Sequence, residues 1–235
     1  MVLKFSQQQF IALEAQAAAG WDRETAKELQ ALYSHYMAAL GVALDDITAF
    51  VRTVRDYAQA YHITSKREVF KLAVIGVSLG AHFPHDPRFE HGVASSLGRT
   101  GIPQNRRLVL LSDFVETWLG ATWTGEGLDV VGARLVARID SSLPLEAALR
   151  GLVAQSPSLA PRARRKAFLD ACLVHADGYG LRTPERRLAY VGAALIHGIY
   201  WFDDPLMGGL RRIVAETETP DLMRDQMAEF YAGFA

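Results

Sequence analysis

A single cysteine, Cys172, leaves the chain without an internal disulfide, and a lone thiol in an apolar stretch points to a reducing compartment. Neither sign of charge is in excess: 25 Lys and Arg stand against 26 Asp and Glu, for a formal charge of −1. That balance argues against nucleic acid or an anionic membrane, both of which require concentrated basic surface. The one basic cluster, Arg162, Arg164, Arg165 and Lys166, opens a helical segment and reads as a solvated face. Apolar runs are short too. The longest, Leu188 to Phe202, contains His197 and is bracketed by Arg187 and Asp203, which is too little to span a bilayer. Met1-Val2-Leu3-Lys4-Phe5-Ser6 lacks the apolar core and cleavage site of a secretory signal, so a cytoplasmic protein without membrane insertion is expected. Walker loop, dinucleotide fingerprint and cysteine pair are missing, and no cofactor is expected. Strict two-residue alternation is nearly absent, which excludes most sheet architectures and leaves an all-α chain.

Against these absences stands a phrase written twice. Phe50, Ala58, Tyr61, Gly80, Asp86 and Pro87 recur, without a gap, 118 positions later as Phe168, Ala176, Tyr179, Gly198, Asp204 and Pro205. Ile63/Leu181, Ser65/Thr183, Val77/Leu195 and Phe83/Trp201 agree in character. A fixed-period repeat changes what any residue within it is expected to do, so it is weighed first. Each copy reads as a helix end, a turn, a helix start, a long buried helix and a further start. Gly180 fits the left-handed residue that closes a helix, with Leu181 as the hydrophobic contact after it. His62 takes that place in the first copy at a steric cost. Thr183-Pro184 reads as N-cap and first-turn proline, Ser65-Lys66-Arg67-Glu68 as a capping box, and each Asp-Pro as the opening of another helix.

Helix signals recur often enough for roughly 11 or 12 helices across 235 residues. Ser6-Gln7-Gln8-Gln9 is a capping box, Asp22 reads as the cap of an amphipathic stretch through Leu40, and Asp45 or Asp46 opens the helix ending at Tyr61. Pro103, Pro144, Pro161 and Thr219-Pro220 mark further starts, and Val130 to Arg138 fits a helix better than a strand. Gly120 to Gly127 is the most loop-like segment, and it divides the chain into lobes 1–119 and 120–235. An internal duplication into a two-lobed helical bundle, packed through the buried helices near Ala73 and Ala193, is the expected architecture.

Chemistry-bearing residues are few, and each has a plain alternative. Gly76-Val77-Ser78-Leu79-Gly80 matches the G-x-S-x-G pattern of a hydrolase nucleophile elbow, which needs a strand running into a strained turn and then a helix. The segment before Ser78 reads as helix, and the second copy places Ile196 at the serine's position. His82, His85 and His91 lie near Asp86 and could supply metal ligands, yet a transition-metal site needs three or four converging groups. Only the aspartate recurs in the second copy, so exposed histidines in a polar turn are the simpler reading. Aromatic residues dominate interface anchors, which singles out Tyr200, Trp201 and Phe202, the terminal stripe Met223, Met227, Phe230 and Tyr231, and a groove between the lobes.

The opening Ser6-Gln7-Gln8-Gln9-Phe10-Ile11-Ala12-Leu13, the run Tyr61-His62-Ile63-Thr64-Ser65-Lys66-Arg67-Glu68-Val69, and Gly80, Phe83 and Asp86-Pro87 together resemble a family. It is a group of small helical bacterial proteins encoded beside type VI secretion spike and effector genes. Their recurring phrase is similar to Tyr-Gly-Ile-x-Thr/Ser-x-x-x-Val followed by Gly-x-x-Phe-x-x-Asp-Pro. The likeness spans roughly a third of the chain; His62 replaces the usual Gly, and the second copy at Tyr179 to Pro205 is a further departure. The resemblance implies an accessory or adaptor protein that binds a secreted effector or spike component, and it supplies no catalytic residues. Two other readings stand beside it: an immunity protein binding a cognate toxin, and a serine hydrolase using Ser78. A homodimer is compatible with all of them.

Overall fold

The computed structural model describes residues 6–123, 125–139, 143–154, 156, 159 and 162–235; Met1 to Phe5 and Pro161 lie outside them. Among the described residues there are twelve α-helices and no strand, as the missing alternation implies. In the first half of the chain these are α1 (Gln7–Leu32), α2 (Ser34–Leu40), α3 (Leu44–Ala60), α4 (Lys66–Leu79), α5 (Glu90–Ser95) and α6 (Gln104–Trp123). In the second they are α7 (Leu128–Val136), α8 (Leu145–Val153), α9 (Arg162–Gly178), α10 (Pro184–His197), α11 (Gly208–Glu216) and α12 (Pro220–Ala232). Short 3-10 turns cover Phe83–His85 and Pro205–Met207.

Element boundaries follow the repeated phrase residue for residue. α3 and α9 have 17 residues each, α4 and α10 have 14 each, and both pairs begin and end 118 positions apart. The turn between them is the same in both copies. Ile63 N–H donates to Ala58 O at 2.7 Å and Leu181 N–H to Ala176 O at 2.8 Å, the long bond of a Schellman closure. His62 (φ 55°) and Gly180 (φ 75°) are the left-handed residues, and Ile63 and Leu181 are buried behind them.

Several local expectations are overturned by tertiary contacts. Asp22 caps nothing: α1 runs through it, and its buried carboxylate faces Arg55 at 3.3 Å and Arg52 at 3.9 Å from α3. The stretch to Leu40 is interrupted at Tyr33, where α2 takes over. The box at Ser65 does not form: Ser65 makes no side-chain cap, and its own N–H (3.2 Å), with that of Thr64 (2.9 Å), is taken by the side chain of Gln104 on α6 rather than by Glu68. Glu68 pairs with Lys71 instead. The expected joint at Gly120 to Gly127 is helical through Trp123, so the proposed division after residue 119 falls inside α6. Asp204-Pro205 opens a 3-10 turn, and Asp86-Pro87 a bare turn ahead of α5. The capping box at Ser6 forms as read, Thr183 and Thr219 cap their helices ahead of Pro184 and Pro220, and Val130 to Arg138 is helical through Val136.

α1 lies along α3, α3 along α4, and α4 against α6; α10 is surrounded by α7, α8, α9 and α11, and α12 packs on α7 and α11. The halves are not joined along α4 and α10, as Ala73 and Ala193 suggested. Those helices meet end to end, and the turn Pro205–Met207 packs against α3. Buried apolar side chains from both halves form one connected core. No helix among the described residues is long and apolar enough to cross a membrane.

Candidate functional site

The end-to-end meeting of α4 and α10 is built around two glycines. Gly80 (φ 91°) and Gly198 (φ 98°) cap the two helices in a conformation that L side chains rarely adopt. A Cβ on Gly80 would lie 2.5 Å from His197 O, and one on Gly198 would lie 3.2 Å from Leu79 O. With the backbones this close, each half's aspartate reaches into the other. Asp86 Oδ2 accepts from Ile199 N–H at 3.0 Å, and Asp204 Oδ2 accepts from Ala81 N–H at 2.6 Å. Each also holds its own turn, through Arg88 N–H (2.9 Å) and Leu206 N–H (2.9 Å). Ile199 is the counterpart of Ala81, and Leu206 that of Arg88, so the exchange is reciprocal at every atom named.

Charge compensation breaks that equivalence. Arg88, almost fully buried, pairs with Asp86 at 2.7 Å, donates to Leu195 O at 2.9 Å, and stacks its guanidinium over Phe89, Trp118 and Phe168. Asp204 has no such cation in contact. Burial lifts its carboxyl above the usual range, opposed by the Ala81 and Leu206 N–H groups and by His82 and Arg211 further off. All of these polar groups are occupied in joining the halves.

Beside the junction, four half-buried rings form a row across the seam. Tyr57 and His82 lie edge to face at 5.9 Å with Tyr57 Oη and His82 Nδ1 2.8 Å apart; His82 meets Tyr200 at 6.1 Å, and Tyr200 meets His175 at 4.7 Å. Tyr57 corresponds to His175 and His82 to Tyr200, so each half contributes one tyrosine and one histidine in swapped order. Sequence reasoning missed Tyr57 and Arg88; it read His175, on an apolar helix, as a core or interface histidine. The 118-residue spacing held the signal for the rings, since it aligns aromatic with aromatic although the residue types differ.

The metal candidates do not converge. His82 is engaged with Tyr57, the ring of His85 meets that of Tyr57 edge to face at 5.1 Å, and His91 is exposed on α5. No group of three potential ligands exists among the described residues. Ser78 is exposed on α4, which continues through it to Leu79, so the strand and strained turn of a nucleophile elbow are not formed.

The proposed partner anchors divide by burial. Trp201, Met223, Met227 and Tyr231 are about 1 % exposed and Phe202 is 9 %, so they offer no free surface. Trp201 donates from Nε1 to Tyr190 O at 3.1 Å, and Tyr190 Oη donates to Ile199 O at 2.6 Å, which ties the aromatic turn to α10. The stripe on α12 is turned inward on α7 and α11. Tyr200 and Phe230 remain half-exposed. Phe230 borders an open groove of about 650 Å³ between α2, α11 and α12. Ala39, Ile213, Leu222 and Phe230 give it an apolar lining, and Arg212, Glu216, Glu218 and Glu229 give it an acidic balance.

No known protein family matches the chain, and comparison with characterised proteins and with solved structures finds no significant relative.

Proposed function

We propose that the chain is a protein-binding adaptor that handles a secreted effector or spike component of type VI secretion, and that its halves descend from one duplicated unit. The resemblance of the Tyr61 to Pro87 phrase supports the setting. The groove between α2, α11 and α12 is the single observation that carries the binding role: it joins an apolar lining to three glutamates and one arginine. Its Leu222 is 46 % exposed and lies beside the other apolar side chains of the lining. A helix with an apolar stripe and Lys or Arg along its edges fits that chemistry.

The test is direct binding between the purified chain and the spike or effector encoded beside it, by titration calorimetry. Leu222→Asp should weaken the complex at least tenfold while the far-ultraviolet spectrum and urea midpoint stay unchanged. Equal affinity of both proteins, or no complex with either candidate, would remove the proposal. Reaction with a fluorophosphonate covers the rival chemistry: stoichiometric labelling lost in Ser78→Ala would establish a hydrolase.

A further inference from the structure

A second recess, of about 400 Å³, opens between α1 and the first turns of α4, and it shares no residue with the groove at α11 and α12. Both helices pack on α3 far more than on each other, which leaves a cleft between them. Its two walls carry opposite charge. Trp21, Glu24, Thr25 and Glu28 follow the i, i+3, i+4, i+7 spacing of one face of α1, and Lys66, Arg67, Phe70 and Lys71 line the side formed by α4.

Two of these charges are occupied along their own helices: Glu24 holds Lys27 at 2.8 Å, and Lys71 holds Glu68 at 3.1 Å. The side chains of Glu28, Lys66 and Arg67 are not, and none pairs across the cleft among the described residues. Thr25 adds an independent sign of a ligand. It is 3 % exposed, yet its hydroxyl neither bonds to a described residue nor is sealed from the recess it lines. The indole N–H of half-buried Trp21 is uncommitted in the same way. A buried polar group without a partner is costly until something completes it. The walls differ in what they attract. Lys66 and Arg67 open α4, at the positive end of its dipole, so an anion there meets two cations and the helix together. Glu24 and Glu28 share a face with the Trp21 ring, a combination that favours an organic cation.

We propose that this recess binds a small zwitterion, with its organic cation at the α1 wall, its carboxylate at the α4 wall and a short apolar chain over Trp21 and Phe70. The volume lies within the range of small-molecule sites, roughly 300–1,000 Å³. Opposed charge gives selectivity, because a molecule with one sign only leaves the other wall unanswered. The site stands whether or not the adaptor groove binds a partner.

Trimethylammoniobutyrate, which carries both charges, is the probe; butyltrimethylammonium and hexanoate carry one each. All are titrated into the full chain and followed by NMR at the indole N–H resonance of Trp21, assigned through Trp21→Phe. The zwitterion should bind at least tenfold more tightly than either analogue, and added salt should weaken it. Glu28→Gln should weaken it at least fivefold, and so should Lys66→Gln combined with Arg67→Gln. All three positions are exposed, so these variants keep the core intact. Leu222→Asp, in the other groove, should leave the affinity unchanged. An unmoved Trp21 resonance, equal binding of the zwitterion and an analogue, full affinity in either charge variant, or a loss in Leu222→Asp would each overturn the proposal.

Discussion

His62 pays a steric cost that its counterpart avoids. Both it and Gly180 hold a left-handed backbone, at φ 55° and 75°, behind equivalent Schellman closures. Arg107, buried on α6, keeps that turn in place by donating to Tyr61 O (2.7 Å), Leu97 O (3.0 Å) and His62 O (3.3 Å), and none of these bonds uses the imidazole. Left-handed strain of about 1–2 kcal/mol outweighs the roughly 0.4–1 kcal/mol of extra chain entropy that a glycine brings to the unfolded state. His62→Gly should therefore stabilise the protein by about 0.5–1 kcal/mol, and Gly180→Ala should destabilise it by about 1 kcal/mol. Urea denaturation with an unchanged m value checks both, and loss of stability in His62→Gly would contradict the comparison. This pair was readable in the amino acids because cap chemistry is local and the repeat aligned a histidine with a glycine. Asp22 was not readable in the same way. An aspartate after Gly20-Trp21 has every local mark of an N-cap, and only the approach of Arg55 and Arg52 from α3 explains why the helix continues through it.

At the scale of elements, α4 shows how a neighbour can replace a local signal. Ser65-Lys66-Arg67-Glu68 has the composition of a capping box, but the Gln104 side chain occupies the N–H groups of Thr64 and Ser65, and Lys71 holds Glu68. Gln104→Ala should cost about 1 kcal/mol by freeing both donors, whereas Ser65→Ala should stay within about 0.5 kcal/mol. The reverse order in urea midpoints would restore the local cap. Helix existence was legible across the chain because periodicity and proline placement are properties of short windows. Facing was not: Met223, Met227 and Tyr231 form a stripe whether it covers a partner or α7, and their burial on this chain's own helices decides between them. The aromatic turn at Trp201-Phe202 met the same fate, since Tyr190 on α10 anchors it from within.

For the whole molecule, the repeated phrase anticipated the matched boundaries of α3/α9 and α4/α10 but not how the halves are joined. An Asp before Pro is explained by capping its own turn, and Asp86 and Asp204 do hold Arg88 N–H and Leu206 N–H. Nothing local indicates that the second oxygen of each carboxylate crosses to the opposite copy. The crossing needs two glycines in a conformation closed to other residues, brought together by packing more than a hundred positions apart. Charge-assisted bonds of this kind contribute about 1.5–3 kcal/mol each, enough to couple the opening of one half to the other. Amide hydrogen exchange read by mass spectrometry on Asp204→Ala and Asp86→Ala tests that coupling directly. Asp204→Ala should speed exchange at Ala81 and the end of α4 as well as at its own turn, and Asp86→Ala should do the same at Ile199 and the end of α10. Faster exchange confined in each variant to the half that carries the substitution would contradict the crossed junction.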